Sequence, residues 1–138
     1  MATNFKAECL RYLDRKGIKY TDRNDTTVSI RYNAENMKTI EVIVDFDEDG
    51  DPYVTFHSWS IGSFMEDSKY AKGLVVCNEM NKQYRWCKFY LDNDRDVTVQ
   101  SDAIVSLDNV GPVVSELVQR IVGIMDKAYP EFMKAVWA

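Results

Sequence analysis

Thr39-Ile40-Glu41-Val42-Ile43-Val44-Asp45-Phe46 and, after an acidic turn, Tyr53-Val54-Thr55-Phe56-His57-Ser58 decide how this chain folds. Apolar and polar side chains alternate in both segments, the period of a strand with one face buried and the other open. The link Asp47-Glu48-Asp49-Gly50-Asp51-Pro52 is built of turn-forming residues and is short enough to bring the chain back antiparallel. Upstream, Val28, Ile30 and Tyr32 alternate with Thr27, Ser29 and Arg31, and Asn33-Ala34-Glu35-Asn36 supplies another turn. Residues 18–60 therefore read as an antiparallel meander of three or four strands.

Helical spacing brackets this meander. Phe5, Cys9, Tyr12 and Leu13 share one helix face over 4–16, with Thr3 or Asn4 suited to cap the start and Gly17 to take the left-handed conformation after the end. The alternation breaks over 61–67, and Tyr70, Leu74, Cys77, Met80 and Tyr84 predict a second helix over 68–83 despite Gly73. A hairpin follows over 86–91 and 97–104, with Cys87, Phe89 and Leu91 facing Val97 and Val99, and with Trp86, Lys88 and Tyr90 on the opposite side. A last helix starts near Pro112 and carries Val113, Val114, Leu117, Ile121, Ile124, Met125 and Ala128; Pro130 should end or kink it before 132–137. The expected fold is α+β, one domain over 1–138, an antiparallel β-sheet flanked by helices in the order α-βββ(β)-α-ββ-α.

Composition excludes several functions. With 46% hydrophobic and 28% charged residues, a chain of 138 residues can bury a core and is not disordered. A net charge of -5 has the wrong sign for a phosphate backbone, so nucleic acid is not an expected partner. There is no apolar run of membrane-spanning length, and Met1 to Glu8 has neither a basic nor an apolar signal region, so a cytoplasmic protein without a membrane segment is expected. Cys9, Cys77 and Cys87 are odd in number, lack metal or redox spacing and sit among apolar neighbours, which predicts reduced thiols in the core. His57 is the single histidine, so neither a zinc site nor a Cys/His nucleophile is signalled, and no catalytic residue, metal or cofactor is expected. Asp45 to Asp51 fits the opening of a calcium loop, but Phe56 stands where the closing bidentate Glu belongs. Asp92-Asn93-Asp94-Arg95-Asp96 has no glycine and sets Arg95 inside the would-be cage, so it too reads as a turn.

Asn78-Glu79-Met80-Asn81 with Tyr84, then Cys87-Lys88-Phe89-Tyr90-Leu91-Asp92, then Val97 through Val105, resembles the YbjN-like family of bacterial sensory transduction regulators. Arg95 departs from that pattern, standing where the family commonly carries a glycine in the second hairpin turn. The resemblance implies a fold like that of type III secretion chaperones and no catalytic residues. From the residues themselves, Asn78 and Asn81 suit bonds to free carbonyls or to the turn after the second helix, and Asp102 suits an Asx-type turn at a strand end. Tyr53 and Trp59 on one strand, and Trp86 and Tyr90 on another, fall opposite the aliphatic faces and form a candidate protein-binding surface unless a helix covers them. The expected function is a non-enzymatic regulatory or protein-binding domain with a protein partner, a homodimer among the options. The alternatives are a type III secretion chaperone holding an unfolded client, which needs a large apolar surface, and an enzyme with no recognisable site.

Overall fold

The computed structural model describes residues 4–138, so the proposed cap Thr3 lies outside the described residues. The elements run α1 (Asn4–Lys16), β1 (Thr21–Asp22), β2 (Thr27–Asn33), β3 (Thr39–Phe46), β4 (Tyr53–Ser58), α2 (Asp67–Gln83), β5 (Lys88–Leu91), β6 (Val97–Ile104) and α3 (Val110–Trp137). Gly17 ends α1 as expected, with φ at 70°, while the Ile18 amide donates to the Leu13 carbonyl at 2.9 Å. All six strands join one antiparallel sheet in the order β1-β2-β3-β4-β6-β5. The meander is β2 to β4; α2 then carries the chain outward, so that β5 forms the edge and β6 returns into the gap beside β4.

Register sends one parity of side chains to a single buried face. Val28 pairs with Val44, Val44 with Phe56, Phe56 with Ser101 and Val99 with Phe89. The apolar members of these pairs share one core cluster with Leu13 of α1, Met80 of α2, and Ile121, Met125 and Phe132 of α3, so all three helices pack on the same side of the sheet. The opposite parity, including Tyr53, Thr55, His57, Gln100, Asp102 and Tyr90, is half-buried or exposed except at Ser29 and Thr98, which are buried, and no helix covers it.

Two expectations about the helices are corrected. Leu74 does not face the core from α2 but is exposed; the buried residues are Gly73, Cys77 and Met80. A Cβ on Gly73 would stand 2.6 Å from the Phe64 ring, so the glycine is what lets α2 press onto Phe64, and that approach turns Leu74 outward. Nor does Pro130 end the last helix, which begins at Val110 and runs unbroken through to Trp137. Proline removes the N–H that would bond the Asp126 carbonyl. Asn36 Nδ2, in the turn after β2, donates to that carbonyl at 3.0 Å instead, while the Asp126 carboxylate accepts the backbone amides of Asn36 at 2.8 Å and Met37 at 3.0 Å. Burial of Phe132 beyond the proline keeps the last turns on the core.

Candidate functional site

The open sheet face is built row by row from the register of β4 and β6. Tyr53 stands opposite Ile104, Thr55 opposite Asp102 and His57 opposite Gln100. Trp59, just past the end of β4, lies flat on His57, with ring centroids 5.7 Å apart and planes inclined by 4°. Tyr90 on β5 reaches Gln100 through its hydroxyl at 3.1 Å. The apolar surface left open is considerable: Tyr53 is 49% exposed, Trp59 43%, Tyr90 36% and Ile104 84%. Polar pairs run between them, Thr55 donating to Asp102 at 2.9 Å and His57 Nδ1 lying 3.5 Å from Asp45. The Tyr53 hydroxyl donates to Asp51 at 3.1 Å, and that bond to a carboxylate holds its pKa above the ordinary phenol value.

Tyr53, Trp59 and Tyr90 thus come together on one face, but Trp86 does not join them. Its φ of 84° interrupts the alternation before β5 starts at Lys88, and its indole swings to the helix side, where the Arg120 guanidinium lies 5.1 Å from the ring centroid. The Ser101 hydroxyl, on the buried-face parity of β6, donates to the Trp86 carbonyl at 2.6 Å and holds that backbone in place. Ile104, which continues the parity of Gln100 and Asp102, had no place in the expected surface, whereas His57 shares the face of Tyr53 and Trp59 as strand alternation predicts and is joined to Trp59 by the stack.

Among the motif asparagines, only Asn81 makes side-chain bonds. Its carboxamide accepts from the Phe89 amide at 2.8 Å and donates to the Phe89 carbonyl at 3.0 Å, so it pairs with the outer edge of β5 as a neighbouring strand would. Asn78 is exposed. Asp102 is not in an Asx turn; it lies within β6 and is bonded across the sheet by Thr55.

The acidic turns are held by their own bonds. Asp47 accepts the amides of Asp49 at 3.1 Å and Asp51 at 3.0 Å, between flanks that are strands. Asp92, Asp94 and Asp96 bring carboxylate oxygens within 4.8 Å of one another and are the group that could hold a cation among the described residues. Asp92 accepts from the Thr98 hydroxyl at 2.9 Å and from the Asp94 and Asp96 amides, and Ser63 donates to Asp96. Arg95 does not enter this group, contrary to expectation. Its guanidinium lies 4.4 Å from the Tyr70 ring centroid and donates to Asp67 at 2.8 Å, and its φ of 62° is the conformation for which a glycine is usual. Burial pushes the thiol of Cys9 up to about 12, that of Cys77 to about 11 and that of Cys87 to about 12. All three therefore stay protonated near neutral pH, a poor state for a nucleophile.

These layers define the class: an α+β protein whose antiparallel sheet is covered by helices on one face only. The YbjN family model, described as "putative bacterial sensory transduction regulator", matches residues 10–133, and the chain belongs to that family. Its fold is similar to that of a chain in the heterodimeric ExoU–SpcU complex from the type III secretion system of Pseudomonas aeruginosa, with 17% identity and a TM-score of 0.53 over 87% of this chain and 93% of that one. No curated protein matches the sequence. No helix among the described residues is long and apolar enough to cross a membrane.

Proposed function

We propose that this chain is a non-enzymatic regulatory module that holds a protein partner, or a second copy of itself, on the open face of its sheet. The observation that carries this reading is that Tyr53, Trp59, Tyr90 and Ile104 stay exposed on a face no helix covers. Wide aromatic rings desolvate much area with few rotatable bonds, which is why interfaces favour them. The polar rows of Thr55 with Asp102 and His57 with Gln100 divide the apolar area, as suits a folded partner with matching polar groups better than an unfolded chain. Family membership supports a regulatory role, and the protonated thiols weaken the enzyme alternative. The likeness to a chain of the ExoU–SpcU complex favours the second reading, a chaperone of the secretion kind acting on an unfolded client in the cytoplasm.

Affinity capture from a bacterial lysate with the wild type, Trp59→Ala and Ile104→Asp tests the first reading, beside sedimentation at several concentrations. A folded protein or self-association held by the wild type and lost by both variants, with their unfolding midpoints intact, is the expected result. Capture unchanged in both variants removes the open face from the function. Suppression of aggregation of a reduced, unfolded protein by the wild type selects the chaperone instead.

A further inference from the structure

On the helix side of the sheet a groove of about 620 Å³ runs between β6 and the first half of α3, lined by Ala103, Val113 and Leu117, by Trp86 as one wall, and by the two acidic residues Asp102 and Glu116. Past Trp86 it continues along α3 into a hollow of about 370 Å³, where Arg85, Arg120 and Lys127 converge around Gly123. Three cations in one hollow run against the net charge of -5. Arg120 lies 3.6 Å from Glu116, whereas Arg85 and Lys127 make no ion pair among the described residues.

Two local features are unfavourable to the backbone where they stand. Gly123 lies within α3, where glycine is among the poorest helix formers, yet a Cβ there would meet nothing within 4 Å. Trp86 holds a φ of 84°, which a bulky residue rarely adopts, and is kept there by Ser101 below and Arg120 above while half its surface stays exposed. A fixed indole wall and a helix surface lowered to its backbone are what a chain passing closely over α3 would need.

We propose that this groove binds an acidic peptide segment of a protein partner, an apolar side chain seated against Trp86, Val113 and Leu117 and its carboxylates over Arg85, Arg120 and Lys127. Charge complementarity selects the acidic ligand, and length selects a peptide. From Val113 to Lys127 the two hollows follow about 20 Å of helix at a rise of about 1.5 Å per residue, and both are open to solvent along it. The test separates this site from the open-face reading, because the aromatic residues of that face, Trp59, Tyr53 and Tyr90, lie across the sheet from the groove even though Asp102 belongs to both.

The probe is a displayed library of random twelve-residue peptides selected against the full chain, followed by fluorescence polarisation with the best binder and with its amide counterpart, Gln for Glu and Asn for Asp. Acidic sequences with one large apolar residue should be enriched. Binding should fall by about tenfold or more for the amide peptide, for the double variant Arg85→Glu with Lys127→Glu, and for Gly123→Leu, and should weaken with salt. Gly123→Ala should raise the unfolding midpoint by about 2–4 °C while weakening the peptide, a combination that damage to the fold does not produce. The proposal is overturned if selection yields no binder or no acidic bias, if Gly123→Leu binds undiminished, or if binding is lost in Trp59→Ala instead. Self-association abolished by Gly123→Leu would seat a second copy in the groove and overturn it as well.

Discussion

Asn81 and Asn78 sit one helical turn apart and look equivalent in the sequence, but only Asn81 reaches a backbone. Phe89 is buried in an edge strand, and its outward N–H and C=O would lose both partners without that carboxamide. Asn81→Ala should therefore cost about 2 kcal/mol in denaturant unfolding, because a buried polar group left unpaired costs about 1–3 kcal/mol, whereas Asn78→Ala should be nearly silent. Asp92 carries a second prediction. The Thr98 hydroxyl, with the amides of Asp96 and Asp94, outweighs desolvation and holds its pKa below the ordinary value of 3.8. A folded-state pKa below the unfolded one means stability that is present above 3.8 and lost as pH falls past it. The unfolding midpoint of the wild type should drop more steeply below that pH than the midpoint of Asp92→Asn. Equal slopes would show that other carboxylates govern acid unfolding. Lys6 belongs to the same scale: nearly sealed from solvent, it pairs with Asp22 at 2.6 Å, a partner that no spacing within the first helix could reveal.

At the scale of elements, α3 departs most from expectation. A proline within a helix removes one bond and crowds the preceding turn, which ordinarily costs about 3 kcal/mol or more. Here the freed Asp126 carbonyl is taken by Asn36, and the carboxylate of the same residue gathers the amides of the turn between β2 and β3. Pro130→Ala should thus raise stability by less than about 3 kcal/mol, and Asp126→Ala should lower it by about 1–2 kcal/mol. Both are read from denaturant midpoints; an Asp126→Ala variant as stable as the wild type would mean that this turn needs no anchor on α3. Helix α3 also loses two residues from its expected core stripe. Val113 and Leu117 are only half-buried and form the bottom of the Trp86 groove, while Val118 takes the core position.

For the molecule as a whole, one-sided helix cover determines what can be reached from outside. Trp59→Ala should change stability by less than about 1 kcal/mol, since truncating an exposed ring empties no cavity, whereas Phe56→Ala in the preceding strand β4 should cost about 3–5 kcal/mol. A large loss from Trp59→Ala would return that ring to a structural role. The thiols give a prediction on the same scale; Cys9 and Cys77 are buried as expected, whereas Cys87 is half-buried at the margin of the core. Alkylation of the native protein at neutral pH should be slow at Cys9, Cys77 and Cys87, and all three should react once the chain unfolds. Intact mass showing fast native labelling at any of them would contradict the packing described for it.

The sequence by itself determined the strands, their burial faces and the three helices, because a period of two or of 3.6 is a local property that burial of one face converts into structure. Val42, Val44, Val54 and Phe56 lie in the core for that reason, and Gly17 ends its helix for an equally local one. Only the tertiary structure decided what depends on contacts distant in sequence: the return of β6 between β4 and β5, the use of Gly73 against Phe64, and the rescue of Pro130 by Asn36. It also divided the four aromatic residues read as one surface. Alternation places Trp86 with Tyr90 only while φ stays negative, and the bond from Ser101 with the stack on Arg120 holds φ positive, sending the indole to the helix side and leaving Tyr53, Trp59 and Tyr90 on the open one.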